Sequence, residues 1–162
     1  MNQPSPQLRE PAHQVSPRAR TMWQVGALAE GAVSSVVAIA AILVWESLPW
    51  WLVVPIVVGS LAWAAVVPRW RYAVHRWEAT ATAVYTQTGW WAIERRIAPM
   101  SRIQTVDYVE GPIARLFGLA SVTVTTASAA GALSIDGLDR DVARSLVDDL
   151  THQADAVAGD AT

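Results

Sequence analysis

The sequence predicts an α+β protein in which a two-helix transmembrane hairpin precedes an antiparallel β domain with a C-terminal helix. Two long apolar runs, residues 24–44 and 52–67, lie close together near the start of the chain. Tryptophans stand at the ends of both runs, where amphipathic indoles favour the headgroup level of a bilayer. Short segments rich in Val, Thr, Trp and Tyr follow, and an amphipathic segment comes last.

The two apolar runs are long enough to form membrane-spanning helices. Residues 24–44 would extend about 31 Å as an α-helix, which is close to the hydrocarbon thickness of a bilayer. Residues 52–67 would extend about 24 Å, a short span that bilayer thinning can accommodate. The break between them contains Pro49 and three tryptophans. We therefore predict a helical hairpin in the membrane.

Three alternatives explain the apolar runs less well. A buried hairpin in a soluble protein would not need tryptophans at its ends. A cleaved signal peptide would fit the Ala38-Ile-Ala40 sequence, but its apolar region would be shorter and no second apolar run would follow. An interfacial helix would need a charged face, which neither run has.

Arginine placement predicts the orientation of the hairpin. Three arginines precede the first run and three follow the second, at positions 9, 18, 20, 69, 71 and 76. The intervening Glu46–Pro49 turn contains only an acidic charge. Because basic residues stay on the cytoplasmic side, we expect a multi-pass cell-membrane protein with both termini in the cytoplasm. The absence of cysteine is compatible with that compartment.

Small residues recur at steps of about four along the first run and define one helix face. The predicted transmembrane packing residues are Ala27, Glu30, Gly31, Ser34 and Ser35. This face would pack on the second helix of the hairpin or, alternatively, on a helix of a partner. An intramembrane carboxylate indicates function by default, but Glu30 lies near the Trp23 end, so we favour packing or snorkelling over ion transport.

The rest of the chain alternates strand and turn signals. Predicted strands cover residues 71–78, 80–86, 90–98, 103–110, 121–126 and 132–135, with a bulge expected in the fourth. One helical turn is predicted at 113–117. Asp139 then precedes a helix whose apolar stripe comprises Leu138, Val142, Ala143, Leu146, Val147 and Leu150.

These signals divide the chain into four parts. We expect a disordered cytoplasmic arm at 1–20, the transmembrane hairpin at 21–68, a cytoplasmic domain at 69–155 and a flexible tail at 156–162.

Several motifs resemble the bacterial pleckstrin-homology-like (PH-like) domain of YdbS-like membrane proteins. They are Arg69-Trp-Arg-Tyr72, Ala98-Pro-Met-Ser-Arg-Ile-Gln-Thr-Val106, Glu110-Gly-Pro112, Arg115-Leu-Phe-Gly-Leu119, Val122-Thr-Val-Thr-Thr-Ala127 and Ile135-Asp-Gly-Leu138. The resemblance implies a PH-like barrel or sandwich of about seven strands with a C-terminal capping helix, one strand more than the sequence signals. Proteins of this kind have no catalytic residues assigned, and they often occur beside larger relatives that hold several such domains, which implies a protein partner.

The best candidate for a lipid- or partner-binding site combines two indoles with three guanidinium groups. It comprises Trp90, Trp91, Arg95, Arg96 and Arg102. Arginines can grip phosphates bidentately while indoles enter the bilayer interface. The alternative, which we favour, is a solvated strand edge whose charges prevent aggregation, with the tryptophans in the core.

The chain shows no signature of an enzyme, a metal site or a cofactor site. Its three histidines lack metal-ligand spacing, and no phosphate-binding glycine loop or nucleophile elbow occurs. We predict a non-enzymatic, membrane-anchored scaffold subunit that binds membrane lipids and another membrane protein, but no nucleic acid. The sequence leaves open whether the protein also forms a homo-oligomer. The alternative function is a lipid-headgroup reader or envelope-stress sensor that uses Arg95, Arg96 and Arg102.

Overall fold

A computed structural model describes residues 10–45, 48–127 and 131–159, and these ranges contain four α-helices and seven strands. The helices are α1 (Pro17–Val44), α2 (Val53–Val74), α3 (Pro112–Leu116) and α4 (Arg140–Gly159). The strands are β1 (His13–Gln14), β2 (Arg76–Ala79), β3 (Ala83–Gly89), β4 (Ile93–Pro99), β5 (Ile103–Val109), β6 (Leu119–Thr126) and β7 (Leu133–Asp139). Short 3-10 turns precede α2 and β5, at Trp50–Leu52 and Met100–Arg102.

Helices α1 and α2 form the predicted hairpin and are long and apolar enough to cross a membrane. Trp23 of α1 lies against His75 just after α2, and Gly31 lies against Ser60, so the two helices run antiparallel. Only 6% of the most apolar window of each helix is buried. A core helix of a soluble protein would be mostly buried, so this outward apolar surface fits lipid instead. Glu46, part of the predicted outer turn, lies outside the described residues.

The β domain is a sandwich of two antiparallel sheets, and it does not close into a barrel. One sheet has the order β1-β2-β3-β4 and the other has the order β5-β6-β7. The bulge predicted in the fourth strand segment is confirmed, because the β5–β6 register shifts between Ile103 and Thr105. The seventh strand is β1, which lies before the hairpin and pairs with β2 behind it. Seven strands in two sheets with a C-terminal helix are therefore what the resemblance to PH-like domains implied.

Helix α4 covers the sandwich through one apolar face. Leu138 in β7 and Ala143, Leu146 and Leu150 in α4 are at most 4% exposed and join the core built by β6. The predicted stripe is wrong at Val142, which is 42% exposed. Burial of the other stripe residues drives α4 onto the sheets, since each large apolar side chain removed from water contributes about 1.5–3 kcal/mol.

The ordered domain begins earlier than the predicted arm boundary at residue 20. Val15 and Ala19 are buried in the domain core, and Ser16 caps α1 with its side chain. The Ser16 amide donates to the Gly137 carbonyl at 2.9 Å. Gly137 has a φ of +78°, and a Cβ there would lie 2.6 Å from the Ala19 Cβ. Residues 10–20 thus belong to the domain, whereas 1–9 lie outside the described residues.

Two further boundaries differ from the sequence prediction. Helix α2 continues through Pro68 to Val74, because Val74 is buried and Tyr72 packs against the domain core. The predicted strand at 71–78 is therefore helical in its first half, and β2 starts at Arg76. Helix α4 likewise extends to Gly159, beyond the predicted tail boundary at 156, while residues 160–162 lie outside the described ranges.

Candidate functional site

The five predicted site residues lie along the β3–β4 hairpin and its exit, but not in one cluster. Trp90 and Trp91 occupy the turn between the strands, where a strand start was predicted, and β4 begins only at Ile93. Arg95 and Arg96 lie within β4, and Arg102 ends the 3-10 turn behind it. Seven strand residues span about 20 Å, and Arg102 follows the end of β4 opposite to the two indoles.

Two of the three arginines are engaged inside the domain. The Arg95 Nε donates to the Gln87 side-chain oxygen at 2.7 Å, and the buried Gln87 donates to the Val74 carbonyl at 3.1 Å. The Arg96 Nε contacts the Glu94 carboxylate at 2.6 Å, and its Nη1 donates to the Ala132 carbonyl at 3.0 Å. Arg95 thus braces the end of α2, and Arg96 links β4 to the segment before β7. Consecutive strand residues point to opposite faces, so the two guanidinium groups do not converge.

The β3–β4 turn lies directly beside α2. The ring centroids of Trp90 and Trp63 are 4.8 Å apart with an interplanar angle of 71°, an edge-to-face arrangement. Trp91 packs on Trp90 at 6.0 Å and is 89% exposed. The predicted core position of these tryptophans is therefore wrong. They instead form a hydrophobic tip alongside the second apolar helix.

A buried histidine lies where the hairpin meets the domain. His75 is 4% exposed and packs edge-on against Trp23 with ring centroids 5.1 Å apart, and the Arg71 guanidinium stacks on the same indole, 4.2 Å from its ring centroid. Neither imidazole nitrogen has a hydrogen-bond partner of good geometry among the described residues. Burial, followed by repulsion from Arg71, lowers the pKa of His75 from 6.5 to about 4, and Asp136 opposes this only in part.

A cavity of about 970 Å³ lies between the domain and the end of the hairpin that joins it, around Trp23 and Arg71. Its apolar wall includes Trp23, Trp63 and Trp90. Its charged wall carries groups of both signs, namely Arg71, Arg96, Glu30, Glu94 and Asp136. Because the carboxylates outnumber the guanidinium groups, this cavity does not have the charge of a phosphate site.

The predicted small-residue face of α1 packs against α2. A Cβ added to Gly31 would lie 2.8 Å from the Ser60 Cβ, so the backbones approach as closely as glycine permits. The Ser34 and Ser35 hydroxyls donate to carbonyls one turn earlier in their own helix. Ala27 is buried, whereas Glu30 is exposed at the rim of the cavity. This arrangement supports packing within the hairpin for the glycine and alanine positions.

Sequence reasoning missed the residues that join the hairpin to the domain. Ser16 followed by Pro17 is a helix-start signal, and it could have placed the beginning of α1 correctly. Trp63 stands inside the second apolar run instead of at its end, which indicates a contact at that depth. His75 and Gly137 carry no local signal, because their roles depend on segments distant in sequence.

Comparison with known proteins identifies a family across most of the chain. A family model described as "Bacterial PH domain" matches residues 24–154, which is most of the chain. The chain is also 28% identical over 151 residues to the UPF0699 transmembrane protein YdbS of Bacillus subtilis (strain 168), covering 90% of this chain and 94% of that protein. No solved structure matches.

Proposed function

Because the chain belongs to the bacterial PH domain family, we propose that it is a membrane-anchored, non-enzymatic scaffold subunit whose domain binds another membrane protein. The hairpin would hold the domain at the cytoplasmic face, with both termini in the cytoplasm. A larger relative with several PH-like domains is the first candidate partner, as the family resemblance implies.

The observation that carries this proposal is the free edge of β4. In the described part of the chain β4 is the last strand of its sheet and pairs with β3 alone. Its first four residues are exposed. An unpaired row of backbone donors and acceptors can accept a strand from a partner, and alternate side chains can then set specificity. The charges of Glu94, Arg95 and Arg96 would discourage indiscriminate pairing and leave the edge to a selected partner.

This interpretation is favoured over a lipid-headgroup reader. A reader would need arginines that converge and are available to phosphate. Arg95 and Arg96 instead face opposite sides and bond to Gln87 and Glu94, and Arg102 lies beyond the far end of β4. The strand edge therefore supports protein binding better than these side chains support headgroup recognition.

Site-specific photo-crosslinking in native membranes tests the partner. A photoreactive amino acid at Arg95, on the β4 edge, should give a discrete crosslinked species that mass spectrometry identifies as a membrane protein. The matched control is Asp149, an exposed position on α4. Equal crosslinking at both positions, or none at Arg95, would contradict the proposal, and a product containing only a second copy of the chain would reassign the edge to self-association.

Thiol labelling tests the orientation. The chain has no cysteine, so each introduced thiol is unique. Asp149→Cys should react with an impermeant reagent only after the cells are opened, whereas Leu48→Cys should react from outside. The reverse labelling pattern would overturn the cytoplasmic placement of the domain.

A further inference from the structure

We propose that the β3–β4 turn is a second membrane contact, in which Trp90, Trp91 and Ile93 insert into the leaflet that surrounds the foot of α2. The partner of this surface is the lipid of that leaflet. The domain is then attached to the bilayer at two places, by the hairpin and by this turn. We call residues 89–93 the insertion tip.

The depth of the insertion tip follows from its contact with α2. Trp90 packs on Trp63 with ring centroids 4.8 Å apart. Arg69 and Arg71, whose charges belong at the headgroup level, come six and eight residues after Trp63. Helix geometry therefore places Trp63 about 9 Å further into the membrane than Arg69. The tip must lie at a similar depth, since the indoles touch.

Both α2 and the insertion tip expose large apolar side chains next to the Trp63–Trp90 contact. Val66, one turn from Trp63, is 61% exposed, as the surface of a membrane span is expected to be. In the insertion tip Trp91 is 89% exposed and Ile93 is 53% exposed. Residues 89–92 carry no charge, and the neighbouring Glu94 is paired with Arg96. Two exposed indoles beside a lipid-covered helix match the chemistry of the bilayer interface.

A smaller apolar surface occurs beside the other helix. Helix α3 packs against α1, and its Leu116 is 84% exposed while Ile113 is 60% exposed. The insertion tip stands beside α2 and α3 stands beside α1, so apolar side chains flank the hairpin on both helices. This arrangement would prevent the domain from tilting away from the membrane. It does not depend on the partner proposed for the β4 edge, which a different experiment tests.

Spin labels at single introduced cysteines test the insertion. Trp91→Cys and Ile93→Cys are labelled, and each full-length protein is reconstituted into liposomes of phosphatidylethanolamine and phosphatidylglycerol. Collision rates with oxygen, which concentrates in lipid, and with a water-soluble nickel chelate then report the surroundings. Val66→Cys on α2 is the lipid reference and Asp149→Cys on α4 is the aqueous reference. Both test positions are exposed, so the substitutions should leave the fold intact, which the unfolding midpoint checks.

We expect the ratio of oxygen to nickel collisions at both test positions to approach the ratio at Val66. A ratio like that at Asp149 would overturn the proposal, because the tip would then face water. Low accessibility to both reagents would also overturn it, since protein and not lipid would then be covering the tip. These outcomes are independent of crosslinking at Arg95, so failure here leaves the scaffold proposal standing.

Discussion

Acidification should loosen the attachment of the domain to the hairpin, because His75 is buried there without a charge. The pKa of this imidazole falls from 6.5 to about 4 on folding, mainly through burial and then through repulsion from Arg71. Above pH 6.5 the His75 imidazole is neutral in both the folded and the unfolded protein, so it does not lower the free energy of unfolding. Between pH 6.5 and pH 4 the unfolded form binds a proton that the folded form does not, so stability falls as the pH falls.

The size of the effect follows from the shift in pKa. A difference of one pKa unit corresponds to about 1.4 kcal/mol, so the change from 6.5 to about 4 corresponds to about 3 kcal/mol once the pH reaches 4. For a domain of ordinary stability this is a large fraction of the free energy of unfolding. Replacement of His75 by phenylalanine should remove this contribution, because phenylalanine can keep the edge-on contact with Trp23 and carries no titrating group.

The assay is thermal unfolding of the full-length protein in detergent micelles at a series of pH values. Wild type should lose stability between pH 6.5 and pH 4 more steeply than His75→Phe. The control His152→Gln removes an exposed histidine of α4 and should retain the wild-type slope. The reasoning fails if wild type and His75→Phe share one slope, or if an NMR titration assigns His75 a midpoint near 6.5.

The remaining predictions concern packing. Gly31→Val should weaken the α1–α2 hairpin by about 1–3 kcal/mol, measured as a lower unfolding midpoint, whereas Gly26→Val, which meets nothing within 4 Å, should be nearly neutral. Leu150→Ala, at a fully buried site, should cost about 2–5 kcal/mol by denaturant unfolding, far more than Val142→Ala at an exposed site. Gly137→Val should expose the first turn of α1 to limited proteolysis, because Gly137 has a positive φ and Ala19 occupies the space that a valine side chain would need. Equal cleavage of wild type and variant would refute this.

The hairpin, most strand segments and α4 could be predicted because their signals are local. A long apolar run, an alternation of Val and Thr, and a stripe ending at Leu150 each specify one element without reference to the rest of the chain. The bulge near Ile103 was accessible for the same reason, since imperfect alternation reveals it. Family membership was accessible through the motifs at 98–106 and 110–119.

The joints between elements could not be predicted, because they depend on which segments meet in space. Residues 13–14 are too short to signal a strand, and they become one only because β2 lies beside them. The strand-favouring composition of residues 71–74 was overridden, since burial of Val74 continues α2. Trp90 and Trp91 read as core residues by type, yet the contact with Trp63 places them outside the sandwich. The five candidate site residues do not form one cluster for the same reason. The sequence shows that they occur close together along the chain, whereas the position of the β3–β4 turn decides where their side chains point.

The pairing of β1 with β2 has a consequence for biosynthesis. His13 and Trp77 are about 60 residues apart in sequence, and both apolar helices lie between them. During translation β1 therefore has no partner until both helices and then β2 have left the ribosome. Because the helices return to their starting side, they bring the two strands together and lower the entropy cost of closing so long a loop. Pairing of β1 with β2 therefore depends on the antiparallel arrangement of α1 and α2, so the membrane hairpin and the edge of the sheet are completed together.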